Sequence, residues 1–253
     1  MSILNSFVAD SQPVITVADV YPKSDIHFRS FIVTFSQRVI EALLAENLLE
    51  LISEDGPRNI SCRYPVYRFR STEIGIVKTT VGAPITAALL AEMGHIYSCG
   101  KAVIFGTCGS LDKSIPANAL IVPTAAYRDE GVSYHYMPPS DYIALPNYPT
   151  VCKILEELQL PYVVGKTWTT DAFYRETQAE IQLRRQEGCI AVEMELAACQ
   201  AVCNDAGIEL FSFLYRADNL DAASWERGQR DSGLSKDARL QILRVAYEIA
   251  RRL

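Results

Sequence analysis

The sequence lacks any apolar run long enough to cross a bilayer: nowhere in its 253 residues do eighteen consecutive apolar residues occur. Its first twenty residues also lack a basic stretch followed by an apolar run of signal-peptide length. Basic residues are in deficit, 24 Lys and Arg against 30 Asp and Glu, for a net charge of −6. That balance argues against a nucleic-acid coat or a basic membrane-surface protein. It leaves room for a small anionic ligand, since one arginine and a ring of backbone amides can hold a phosphate. The 13 glycines and 12 prolines follow no period, which excludes collagen-like and low-complexity chains. No internal repeat and no Gly/Ser linker interrupts the chain, so residues 1–253 read as a single domain. The seven cysteines are odd in number and form no C-x-x-C pair. Cys199 and Cys203 share a helix face at i, i+4, but no histidine accompanies them, so they read as core residues and no metal site is expected. A cytoplasmic protein with reduced thiols fits this pattern.

What is present is globular composition, 49% hydrophobic and 21% charged. Ser36 to Glu50 has amphipathic helical spacing with Ser36 as N-cap. Short strands follow at Val66–Arg70 and Ile74–Thr79, and Pro84 opens a helix over Ile85–Met93. Ala102–Phe105 and the run from Leu120 read as buried strands. Val151–Leu158 and Glu193–Ala206 read as helices, Glu209–Tyr215 as a strand, and Ser235–Leu253 as a terminal helix ending on Arg251 and Arg252, which suit the negative end of its dipole. Alternating strands and helices predict an α/β fold around a central, parallel or mixed sheet. Ligands in such sheets gather where strands end, which directs attention to Phe105–Ser110, Thr169–Tyr174 and Tyr215–Asn219.

Each exit carries residues suited to chemistry. Gly106-Thr107-Cys108-Gly109 can present N–H groups and a hydroxyl to an anion; it can equally be a tight turn that uses glycine for its backbone angles. Glu193 and Glu195, at i, i+2 at the start of a predicted helix, point to different faces. They can serve the helix dipole, and either can accept the two hydroxyls of a ribose. Asp218 at the third exit is placed to donate a proton from a partly buried site, or to make a turn.

Taken together, Gly106-Thr-Cys-Gly, Val192-Glu-Met-Glu-x-Ala-Ala and a following strand ending Ala217-Asp218 resemble the purine nucleoside and uridine phosphorylase family. The likeness runs from about Phe31 to Asn219, and Arg128-Asp-Glu-Gly-Val-Ser-Tyr-His is similar to the corresponding stretch of uridine phosphorylases. The resemblance implies a three-layer α/β/α subunit with a central mixed sheet, assembled as dimers or trimers of dimers. It implies phosphorolysis of a nucleoside to free base and ribose 1-phosphate, with inorganic phosphate as co-substrate and no metal or organic cofactor.

Residue by residue, the likeness assigns phosphate contacts to Thr107, Gly106 and Arg38. Glu195 grips the 2′ and 3′ hydroxyls, Met194 lies under the sugar, and Glu193 shapes the site. Phe173 stacks on the base, with Cys108 and Gly109 beside it. Asp218 matches the acid that protonates purine N7, and at the places of the uridine phosphorylases' uracil clamp stand Thr177 and Ala179, with Gln178 between them, so a purine is expected. The chain departs from the pattern at Ile104, where the family has a phosphate-binding arginine. Arg216 or an arginine of a neighbouring subunit would have to replace it. A partner-subunit histidine near the 5′ group has no match among His27, His95 and His135. Leu220–Gly233, with Trp225, Arg227 and Arg230, reads as a flap over the base. The rival readings are a nucleosidase that uses water, a uridine phosphorylase, and a nucleoside-binding protein without turnover.

Overall fold

The computed structural model describes residues 2–57, 62–116, 119–221 and 235–253. The expected flap over Leu220–Gly233 therefore lies, beyond Asp221, outside the described residues. Ten described strands form one mixed sheet. They are β1 (Ser30–Thr34), β2 (Leu49–Ser53), β3 (Val66–Phe69), β4 (Ile74–Lys78), β5 (Lys101–Ser110), β6 (Leu120–Asp129), β7 (Tyr142–Ala144), β8 (Tyr162–Thr170), β9 (Cys189–Glu193) and β10 (Glu209–Asn219). Strand alternation sorts the core into two layers. In β1, Phe31 and Val33 face one side and Ile32 the other.

The Ile32 side is covered by α2 (Gln37–Ala45), α5 (Tyr148–Glu157) and α8 (Lys236–Arg252), through Ile40, Leu155 and Ile249. The opposite side is covered by α3 (Ala83–Ile96) and α7 (Leu196–Ala206), through Leu90, Met93 and Ala197, with the single turns α1 (Val17–Val20) and α4 (Ser133–Tyr136) packed against α3 and α7 in turn. These layers are the α/β/α arrangement expected from the sequence. Cys199 and Cys203 are buried in α7, and no disulfide joins any of the seven cysteines. Among the described residues no helix is long and apolar enough to cross a membrane.

The sheet is split at its centre. β5 pairs in parallel with β10 along one edge, and along the other it pairs first with β1, Ala102–Ile104, and then antiparallel with β9, Gly109–Ser110. Residues Phe105–Cys108 lie between those two partners. From β9 the pairing runs through β8 and β6 to β10 and back to β5, so five strands close on themselves. The change of partner on β5 is a topological switch point, where α/β sheets open a crevice.

Four local expectations are corrected. The helix predicted from Ser36 to Glu50 stops at Ala45, because Asn47 adopts a left-handed φ of 55° and the Leu48 amide turns back to the carbonyl of Leu43. Leu49 and Glu50 then join β2, paired with β3. Gly106–Ser110 is a continuation of β5, not a turn, and neither Gly106 nor Gly109 has a positive φ. Glu193 closes β9, and the helix begins only at Leu196. Asp218 lies inside β10, beyond an irregularity in register between Arg216 and Asp218.

Candidate active site

A cavity of about 780 Å³ opens at the split in the sheet. One wall is the β5 segment Ile104–Gly109, and glycine is required there by close approach. A Cβ on Gly106 would lie 3.1 Å from the Phe35 ring, and one on Gly109 would lie 2.9 Å from a methyl of Val192 and 3.2 Å from Asp218 Oδ1. Thr107, exposed between them, lines the cavity. The floor is the strand-to-helix turn Val192–Leu196.

The two carboxylates of that turn have separate tasks. Glu193, 5% exposed, accepts bonds at 2.7 Å from the amides of Glu195 and Leu196 and a further bond from the Thr169 hydroxyl. Thr169 Oγ1 in turn accepts from the Ala197 amide at 3.1 Å. Glu193 is thus the carboxyl that caps the start of α7, the place the dipole reading gave it. Glu195, the N-cap residue of α7, turns into the cavity instead. Its Oε1 accepts from the Gly82 amide at 2.7 Å and its Oε2 from the Met194 amide at 3.3 Å. Each carboxylate uses only part of its acceptor capacity on these amides, so Glu195 retains lone pairs for a diol. Burial raises both above the ordinary carboxylate range, Glu193 to about 7 and Glu195 to about 8, and the Glu193 charge adds to the shift at Glu195.

The remaining wall comes from the exit of β8 and from β10. Phe173 and Tyr174 sit on a single 3-10 turn, with ring centroids 4.0 Å apart, and both are exposed at the cavity. Asp218, Ala217 and Leu220 line the same cavity. Burial pushes the Cys108 thiol well up, and the charges of Glu193 and Asp218 push it further, so Cys108 is a neutral wall residue and not a nucleophile.

The cavity gathers nine residues singled out in the sequence: Gly106, Thr107, Cys108 and Gly109 from β5, Glu193, Met194 and Glu195 from the floor, and Phe173 and Asp218. Arg38 is not among them; it lies exposed in the first turn of α2, and Phe35 occupies the adjoining wall. Arg216 also stays outside the lining, donating to the carbonyl of Ile115 at 3.1 Å. Ile104 lines the cavity as an apolar side chain. Thr177 is occupied in capping α6 (Gln178–Gln186), with Glu180 as its reciprocal partner. Arg128 is buried away from the cavity and held by Ser133, Ser140 and the carbonyl of Pro138.

Gln178, beside the places of the uracil clamp, lies in the cavity wall, and so does Glu176, which sequence reasoning missed. The signal for Glu176 was an acid three residues beyond the aromatic of an already suspected strand exit. It is half-buried, and burial together with the charges of Asp218 and Glu180 raises it to about 7.

This fold is that of nucleoside phosphorylases and related hydrolases. Purine nucleoside phosphorylase from Toxoplasma gondii in complex with immucillin-H has a TM-score of 0.71 at 18% identity, covering 89% of this chain and 91% of that one. A futalosine hydrolase mutant of Helicobacter pylori has a TM-score of 0.70 at 16% identity, covering 89% and 100%. The family model of the phosphorylase superfamily matches residues 31–251, and the chain belongs to that superfamily. Curated relatives include the DeoD-type purine nucleoside phosphorylase of Bacillus cytotoxicus, 24% identical over 155 residues, which are 60% of this chain and 66% of the relative. The chain thus spans just under two thirds of that protein's length. The DeoD-type enzyme of Caldanaerobacter subterraneus is 24% identical over 188 residues, 72% of this chain and 78% of the relative.

Proposed function

We propose that the protein cleaves the N-glycosidic bond of a purine nucleoside and transfers the ribosyl group to phosphate, giving free base and ribose 1-phosphate. The observation that carries this reading is the convergence of Thr107, Glu195, Met194, Phe173 and Asp218 on one cavity. Breaking the C1′–N9 bond builds positive charge on the ribose and negative charge on the departing base. Glu195 holds the 2′ and 3′ hydroxyls through hydrogen bonds that fix the sugar over Met194. Asp218 gives a proton to N7 as the bond electrons pass into the purine, and Phe173 stacks on the base. Thr107 and the neighbouring β5 amides orient the phosphate on the far face of C1′, where its charge stabilises the ribosyl cation. No metal or organic cofactor takes part in this scheme. A second copy of the chain, in a homo-oligomer, would supply the cationic contact that Ile104 does not.

Water as the acceptor is the second reading, and one observation favours it. Among the described residues the ionisable side chains lining the cavity are Glu176, Glu193, Glu195, Asp218, Cys108 and Tyr174, with no lysine or arginine. A phosphate dianion calls for a cationic partner that this lining does not supply, whereas a water molecule calls for none.

The test is free-base release from inosine, adenosine, guanosine and uridine, with and without phosphate. Phosphate-dependent release with ribose 1-phosphate as product supports the first reading. Equal release without phosphate, yielding ribose, replaces it with hydrolysis. Preferred cleavage of uridine removes the purine assignment, and binding without release leaves a nucleoside-binding protein. Asp218→Asn adds a second check: it should slow purine nucleosides by about 10²–10⁴-fold while changing uridine much less. Equal losses on both would remove Asp218 as the N7 acid.

A further inference from the structure

We propose that Asp171 is a positioning residue of the base site, clasping the Phe173–Arg175 turn to the exit of β6 and so holding the stacking ring in place. The inference rests on the reading of Phe173 as the aromatic that stacks on a nucleobase. Phe173 and Tyr174 sit on a three-residue 3-10 turn, and Ala172, at its N-cap, supplies no side-chain hydrogen bond. Among the described residues, the hydrogen bonds of residues 172–176 are local. The Ala172 amide donates to Thr170 Oγ1 at 3.1 Å, and the Arg175 amide donates to the carbonyl of Ala172 at 2.6 Å. Neither ring is packed into the core, Phe173 being 49% exposed and Tyr174 90%. The turn by itself therefore does not fix where its rings point.

Asp171, just before Ala172, ties the turn to a neighbouring element. Its amide donates to the carbonyl of Asp129 at 3.2 Å, and its Oδ2 accepts from the Gly131 amide at 3.1 Å. The two bonds run in opposite senses on either side of Glu130, so together they set both the distance and the tilt of the β8 exit against β6. Their partners are themselves held. β6 and β8 are paired up to Asp129 and Thr170, and Asp129 Oδ2 accepts from the indole N–H of buried Trp168 at 3.0 Å. Buried Glu130 accepts from the amides of Val132 at 2.6 Å and Ser133 at 3.0 Å, which pins the chain beyond Gly131. Ile3 lies over Gly131, 3.8 Å from where a Cβ would stand. The stretch 128–135, singled out in the sequence, thus reaches the base through Asp171 and not by lining the cavity. No cation pairs with Asp171 among the described residues, so its side chain supplies an acceptor rather than a charge.

The experiment is a double-mutant cycle read by calorimetric binding of free adenine and free hypoxanthine. It compares the intact protein with Asp171→Ala, Asp171→Asn, Phe173→Ala and the Asp171→Ala, Phe173→Ala double variant, each with a thermal melt. Asp171→Ala should weaken binding by about 3- to 10-fold, the worth of one hydrogen bond to a peptide amide. Asp171→Asn keeps a carbonyl oxygen for Gly131 and should stay within ~2-fold of the intact protein. The double variant should bind no more weakly than Phe173→Ala alone, because Asp171 acts through that ring. Additive losses, an Asn variant as weak as the Ala variant, or full binding by Asp171→Ala beside a loss in Phe173→Ala would overturn the clasp and leave the base reading standing. Binding untouched by Phe173→Ala, or binding of neither base, refutes the base reading instead. The clasp is then judged by tryptic cutting after exposed Arg175, which should be faster in Asp171→Ala than in the intact protein or in Asp171→Asn. An unchanged rate of cutting would overturn it.

Discussion

Glu195 reaches across 113 residues of sequence to accept a 2.7 Å hydrogen bond from the amide of Gly82, the residue at the N-cap of α3. Gly82 has a φ of 120°, a conformation side chains rarely adopt, although a Cβ there would meet nothing within 4 Å. The cost of a side chain at this position is therefore backbone strain rather than collision. Gly82→Ala should destabilise the fold by about 1–3 kcal/mol and shift the amide that aims Glu195. If Glu195 holds the ribose diol, KM for a riboside should rise in this variant while KM for the corresponding 2′-deoxynucleoside changes less. Steady-state kinetics on the two substrates, with a thermal melt, checks both halves.

Glu193 and Glu195 differ in what their loss should do. Glu193 satisfies two buried amides and the Thr169 hydroxyl. Glu193→Ala would orphan these donors, at roughly 1–3 kcal/mol for each buried group left unmade. A lowered melting temperature is expected, with activity lost alongside it. Glu195→Ala removes a carboxylate that desolvation already disfavours, so its melting temperature should hold while turnover of ribosides falls. Equal thermal losses in the two variants would contradict this division of tasks.

The α/β/α layering was legible in the sequence because it follows from local pattern. Strands such as Ile74–Lys78 and helices such as Tyr148–Glu157 carry their periodicity and turn residues within a few positions. Errors arose where tertiary pairing overrode local cues. Gly106 and Gly109 look like turn formers, yet β9 and β10 hold that stretch extended, and the glycines serve close packing. The run Glu193–Leu196 has helical composition, but β8 captures Glu193 by pairing it with Thr169. Short motifs located the floor and one wall of the cavity. Glu176 belongs to none of those motifs, and only the fold brings it into the same cavity as Asp218.

The buried acids also fix how stability depends on pH. Glu193 and Glu195 keep their protons to about 7 and about 8 in the folded chain, against an ordinary value of 4.5. Between these limits the folded state binds more protons than the unfolded state, so stability falls as pH rises. The protonated groups contribute fully below about pH 4.5, and that contribution is lost as pH climbs through 8. Urea midpoints should therefore decline between pH 5.5 and 8.5, and Glu195→Gln, which cannot ionise, should flatten the decline. A steeper decline in the variant would show that Glu195 is not its source.

Gly109 couples the sheet to the proposed acid. A Cβ at this position would lie 2.2 Å from the end of Leu220, 2.9 Å from Val192 and 3.2 Å from Asp218 Oδ1. Leu220 can rotate away, but Val192 is buried and paired across the strand with Gly109 itself. Relief must come partly from moving Asp218. Gly109→Ala should cost about 1–3 kcal/mol through overpacking. Its kcat on a purine nucleoside should also drop further than its kcat on uridine, because in the proposed mechanism only the purine reaction draws a proton from Asp218. If both rates fall by the same factor, the displaced group is the phosphate or sugar site, and the acid lies elsewhere.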